Sequence, residues 1–253
     1  MQKKTNTCKE SRLYAFTLVE LSIVLVIIAL LISGVIAGQE LVKNSKLQNV
    51  ITEIREYDTA IKQFKEKFKY YPGDLPNASA YWGTYAAGPP ITGANNGNGD
   101  WRVLSTTTEA LYSWRHLALA GFIPGEYTGA TSTPTYEIGV NLPGSKVNST
   151  ADYFFLHASD NFQTNGHVLM LAKNMGNDWS WDHEIITVGG AYFIDTKIDD
   201  GYAHKGTLYG IDGGTTGSTS NGDCSAKHNA TPADYNLSTT IVACRLFWWL
   251  DKE

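Results

Sequence analysis

The hydrophobic pattern changes period once near the start of the chain without breaking. From Leu21 to Gly38 every side chain is apolar or small except Ser22 and Ser33, and the run holds no charge, Pro, Asn or Gln. A helix needs about 20 such residues, at roughly 1.5 Å each, to cross a bilayer, so this run is long enough to span one. After Gln39 the pattern becomes amphipathic. Leu47, Ile51, Ile54, Tyr57, Ile61, Phe64 and Phe68 recur at intervals of three and four, which places them on one helical face. Lys43, Lys46, Glu53, Arg55, Glu56, Asp58, Lys62, Lys65, Glu66 and Lys67 occupy the remainder. No Pro interrupts Phe16 to Tyr71, so both halves read as one helix of about 54 residues, roughly 80 Å long. Tyr71-Pro72-Gly73-Asp74-Leu75-Pro76 stops it, because Pro lacks a donor and disfavours helix in the residue before it.

Beyond this helix the pattern predicts shorter elements. A loop rich in Gly, Asn and Pro reaches Asp100, followed by a second helix with Thr106-x-x-Glu109 as a capping box. Its face carries Ala110, Leu111, Trp114, Leu117 and Ala118, and Gly121 with Pro124 ends it. Tyr127 to Ser149 is turn-rich. Strands are predicted at Tyr153–His157, His167–Lys173, Glu184–Val188, Thr207–Ile211, Thr239–Val242 and Leu246–Leu250, with a short helix from Ala191 to Asp200. The sum is an α+β fold, a long N-terminal α-helix packed on an antiparallel β-sheet domain.

Charge sets the topology. Lys3, Lys4, Lys9 and Arg12 precede the apolar run against the single acid Glu10, and such a positive flank stays in the cytoplasm. The sequence after Gly38 therefore faces outward, beyond a single-pass anchor. From Tyr70 onward 9 Lys and Arg stand against 18 Asp and Glu, which argues against nucleic acid as a partner. Cys8 lies on the cytoplasmic side, while Cys224 and Cys244 are the remaining pair, outward-facing and thus expected to form one disulfide. Glu20 is the anomaly, a carboxylate at the edge of an apolar helix, where an acid needs a partner or a route to water.

Ala15-Phe16-Thr17-Leu18-Val19-Glu20, behind a basic leader and ahead of the apolar helix, resembles the class III signal of type IV pilins and type II secretion pseudopilins. The motif covers only the first quarter of the chain. The resemblance implies cleavage by a prepilin peptidase between Ala15 and Phe16, methylation of the new amino terminus, and pairing of Glu20 with a neighbouring subunit's amine during assembly. The family nearly always has Gly where Ala15 stands, so this junction departs from the pattern by one methyl group. On this reading residues 1–15 are a leader, 16–38 the transmembrane and assembly half of the helix, 39–71 its amphipathic half, and 72–253 a globular domain with a C-terminal disulfide loop. The Cys224–Cys244 position and the Tyr71-Pro72-Gly73 stop also resemble the family. The implied partners are the peptidase, other pilin or pseudopilin subunits with their assembly platform, and the bacterial inner membrane, with the C-terminal domain periplasmic or extracellular.

No catalytic site is expected. The six His residues form no metal-binding spacing, and neither a Gly-x-Ser-x-Gly elbow nor a phosphate loop occurs. Trp114 and His116 read as packing and surface residues. No cofactor is expected beyond a structural Ca²⁺, for which two loops offer oxygens: Asn95–Asp100, and Asp195, Asp199 and Asp200 with Asp212 nearby. Turn chemistry and solvated acids are the favoured readings of both. Trp179 and Trp181 share one side if extended, and aromatic rings in polar loops can stack on sugars. They motivate the alternative of a minor or tip subunit that binds a ligand.

Overall fold

Helix α1 runs from Leu18 to Phe68 without a break, in a computed structural model that describes residues 17–86, 92–104, 108–129, 136–158, 165–174, 183–212, 223–225 and 234–252. The chain divides into two contact units, Met1–Ser45 and Lys46–Glu253. Within the first, every Leu, Ile and Val from Leu18 to Val42 is exposed, and this stretch is long and apolar enough to cross a membrane. The second unit begins partway along α1, so the amphipathic half of the helix is its first element.

That half buries the face its periodicity marks: Leu47, Ile51, Ile54, Ile61 and Phe64 are all buried, together with Val50 and Ala60. Glu53 corrects the expectation of a polar-face residue, since it is only 5% exposed. It lies three residues after Val50 and four before Tyr57, on the buried stripe itself. The helix stops three residues before Tyr71, where Lys69 adopts φ 64° while its N–H still reaches the Lys65 carbonyl at 2.9 Å. Gly73 then turns at φ 96°, where a Cβ would lie 2.4 Å from the Glu109 carbonyl oxygen.

A short helix that periodicity does not reveal, α2 (Ala78–Trp82), interrupts the predicted loop and sets Trp82 against Phe68, with ring centroids 5.4 Å apart. Helix α3 covers Glu109–Leu119; Thr106 of the expected capping box lies outside the described residues. The sheet is antiparallel throughout, with β1 (Ala151–Ala158), β2 (Gly166–Lys173), β5 (Val242–Trp249) and β3 (Ile186–Thr187) in that order and β4 (Leu208–Asp212) also paired to β5. The α+β class with an antiparallel sheet is therefore as expected.

Two boundaries differ from the sequence reading. The third strand is only two residues long, because the Thr187 hydroxyl accepts the Gly190 N–H and starts α4 at Val188 rather than Ala191; α4 ends at Ile198. Of the expected strand Thr239–Val242 only Val242 is in a strand, and β5 runs on from it through Ala243–Arg245 to Trp249. Arg245, between the two expected strands, is 3% exposed, and its guanidinium lies 5.2 Å from the centre of the Phe247 ring.

Candidate functional site

At the start of α1, Thr17 and Glu20 close a reciprocal cap. The Glu20 carboxylate accepts the Thr17 N–H at 2.8 Å and its hydroxyl at 2.9 Å, while the Glu20 N–H donates to the Thr17 hydroxyl at 3.2 Å. This is the capping-box arrangement, whose signal in the sequence is Thr17-x-x-Glu20 at the head of the apolar run. It gives the carboxylate a local partner at the positive end of the helix dipole. Ala15 and Phe16, the expected processing junction, lie outside the described residues, as does Cys8.

In the second unit, the helix is keyed to the sheet by Glu53. Its carboxylate accepts the Ser145 hydroxyl at 2.6 Å, the Tyr153 hydroxyl at 2.9 Å and the Lys146 N–H at 3.0 Å. Tyr57, one turn on, meets the Trp114 and Tyr153 rings edge-on at 5.1 and 5.0 Å. Trp248 Nε1 of β5 donates to Asp58 at 3.1 Å. These contacts couple the amphipathic half of α1 to the domain it carries.

The Asn95–Asp100 loop presents amides to acids. Asp74, fully buried, accepts the N–H groups of Gly99, Asp100 and Trp101 at 2.7, 3.1 and 2.9 Å, and Glu109 accepts that of Asn98 at 3.0 Å. Inward N–H groups suit an anion, and the anions here are the chain's own carboxylates. This favours the turn reading of the loop over a cation wrap. Trp101 is held at φ 68° with its ring stacked on Tyr70 at 5.1 Å. Burial pushes the Asp74 pKa up to about 6, against the pull of the Gly99 and Trp101 amides and aided by the Glu109 and Asp100 charges.

His116 corrects the surface assignment. It is fully buried, its Nδ1 accepts the Gly73 N–H at 2.9 Å, and its Nε2 faces the Asn95 carbonyl at 2.8 Å. Those partners require a neutral ring protonated on Nε2. Burial pushes its pKa down to about 4, offset in part by the Asn95 carbonyl and reinforced by Arg115. A buried His with a lowered pKa contributes stability that is complete above its unfolded value, near 6.5, and is lost as pH falls toward 4. Asp74 and Asp152, the latter raised by burial to about 7, have the opposite sign in the same window, so the comparison must isolate His116. We expect the stability advantage of the native chain over His116→Gln to shrink by about 3 kcal/mol between pH 7 and pH 4 in urea titrations. A pH-independent difference would contradict the neutral, buried ring.

Near the C-terminus the structure brings together Asp195, Asp199 and Asp200, each offering an oxygen within 4.8 Å of the others. Asp212 stands apart from them, accepting the Cys224 N–H. Hard oxygens at this spacing fit Ca²⁺ in kind. However, Asp195 already accepts from Gly201 N–H and the Tyr235 hydroxyl, and Asp199 from the N–H groups of Thr207 and Leu208. Burial raises the Asp195 pKa to about 6, although the Tyr235 and Gly201 bonds oppose it. Asp195 and Asp199 thus staple the end of α4 to the turn and strand that follow it.

The expected disulfide is formed. Cys224 and Cys244 are joined, with Cα atoms 5.1 Å apart, and both are fully buried. Trp179 and Trp181 lie outside the described residues. No family model matches the chain, and neither a curated protein nor a solved structure matches it.

Proposed function

We propose that this chain is a structural subunit of a type IV pilus or a type II secretion pseudopilus, with a pilin-like fold, held in the bacterial inner membrane before assembly. The observation that carries the reading is the run of exposed aliphatic side chains from Leu18 to Val42, on a helix capped at its start by Thr17 and Glu20. Apolar surface of this extent is stable only in lipid or against similar helices. In the proposed cycle a prepilin peptidase cuts before Phe16, and the helix then moves from lipid into the core of a filament. Packing replaces lipid contact, and the acidic domain is left on the outside. The chain performs no chemistry itself; its work is assembly.

A second reading, a minor or tip subunit whose domain binds a ligand, is favoured by a cavity near the C-terminus described below. Both readings require the same processing. Intact mass and N-terminal sequencing after co-expression with a prepilin peptidase test it. The expected product begins at methylated Phe16; a chain that keeps Met1, or one cut after Val35-Ile36-Ala37 as a cleavable secretory signal would be, contradicts the proposal.

A further inference from the structure

The disulfide fixes one wall of a cavity that assembly through α1 does not use. The Cys224 carbonyl accepts the Asn236 N–H at 3.0 Å, Ser225 pairs with Tyr235 as an isolated antiparallel bridge, and the Ser225 hydroxyl meets His204 Nε2 at 2.7 Å. These bonds hold the segment Asp234–Leu237 against the disulfide, which is itself tied to His204 in the turn after α4. Between that segment and the end of α4 lies a cavity of about 420 Å³ lined by Tyr192, Thr196, Asp200, Tyr202, Asp234 and Tyr235.

Its aromatic walls are rigid where rigidity matters. The Tyr235 ring lies over Gly210, where a Cβ would sit 2.4 Å from its Cε1, and its hydroxyl donates to the fully buried Asp195 at 2.8 Å. Tyr192 meets that ring edge-on, with centroids 5.8 Å apart and planes at 68°. Gly201, at φ 79°, keeps space clear beside Tyr192 and Thr196. Tyr202 is the third ring, and the Lys205 ammonium already lies 5.0 Å from its centroid.

Three electron-rich rings with two carboxylates, Asp200 and Asp234, make a site for an organic cation. Ring faces attract an ammonium by their quadrupole, here at an open site where Tyr192 and Tyr202 are exposed, and the acids add a charge that a neutral sugar would not need. A bare divalent ion would want six or more oxygens, and the rings supply few. We propose that this cavity binds an alkylammonium group, carried either by a small quaternary amine or by a lysine side chain of a partner.

The test uses the full chain in dodecyl maltoside, labelled with 3-fluorotyrosine and titrated at constant ionic strength. The probes are tetramethylammonium, n-butylammonium, the neutral tert-butanol, and Ca²⁺. The expected result is a saturable shift of the Tyr192, Tyr202 and Tyr235 signals with an ammonium probe and none with tert-butanol. A response to tetramethylammonium alone identifies a quaternary amine, whereas a response to n-butylammonium admits the lysine source; either supports the site. Tyr202→Leu and Asp234→Asn, both at exposed positions, should each weaken binding at least fivefold with an unchanged far-ultraviolet circular dichroism spectrum. Lys205→Met should tighten it by removing the competing cation. The proposal is overturned if neither ammonium binds, if tert-butanol shifts the signals equally, if the Tyr202 and Asp234 variants bind as the native chain does, or if only Ca²⁺ acts.

Discussion

Glu53→Ala is expected to destabilise the domain by about 4 kcal/mol, since three donors, two of them on buried residues, lose their acceptor at once. The Ser145 hydroxyl, the Tyr153 hydroxyl and the Lys146 N–H all converge on this carboxylate, and Ser145 and Tyr153 are themselves buried. The truncation removes the charged acceptor that the Ser145 and Tyr153 hydroxyls share, and a buried donor that loses its acceptor costs about 1–3 kcal/mol. Glu53→Gln retains one acceptor oxygen and should lose roughly half as much. Urea unfolding of the full chain in detergent, followed by tryptophan fluorescence, measures both variants. An effect for Glu53→Ala no larger than that of an ordinary surface substitution, within about 0.5 kcal/mol, would show that the helix is held by its apolar face alone.

Replacing both cysteines, as Cys224→Ala with Cys244→Ala, is expected to cost about 3 kcal/mol, the chain-entropy value for a loop of this size. The bridge spans 20 residues of sequence. Cys244 sits in β5, opposite Ile186 of β3 and Asp212 of β4, so the loop is tied to a strand that the rest of the sheet holds in place. The local consequence should exceed the global one. The Cys224 carbonyl is the acceptor for Asn236, so releasing it loosens Tyr235 and should increase proteolysis between residues 224 and 244. A double variant with native urea stability and native protease resistance would mean that β-bridge and side-chain bonds suffice.

What the sequence made legible was periodic. Helix α1, the face it buries and α3 were readable because apolar residues repeat at the helical period over several turns, and strands β1, β2 and β4 because they form short apolar runs between turns. The disulfide followed from compartment and count. Elements that rest on a single contact or on distant pairing were missed. Helix α2 is five residues long, too short to show a period. The early start of α4 depends on one Thr187 hydroxyl, and the extent of β5 depends on its pairing with β2, β3 and β4, which lie far away in sequence. Glu53 was readable in principle from its place between Val50 and Tyr57, but its charge suggested the solvent face, and its partners lie 92 to 100 residues away in the chain. The tyrosine cavity gathers residues from α4, the turn after it and the segment beyond Cys224, a juxtaposition that no spacing in the sequence announces.

Glu20 carries the central claim, that α1 both spans the membrane and drives assembly. The cap with Thr17 alone gives it a purely local purpose, so the decisive variant must keep the cap and remove the charge. Glu20→Gln does this, because its amide oxygen still accepts the Thr17 N–H. The measurement is the fraction of membrane-inserted, leader-processed Glu20→Gln protein that enters sheared filaments, or a pseudopilus, beside the native chain. Assembly through a charge pair predicts normal insertion and at least a tenfold loss of incorporation; incorporation at the native level would contradict it and leave Glu20 as a helix cap.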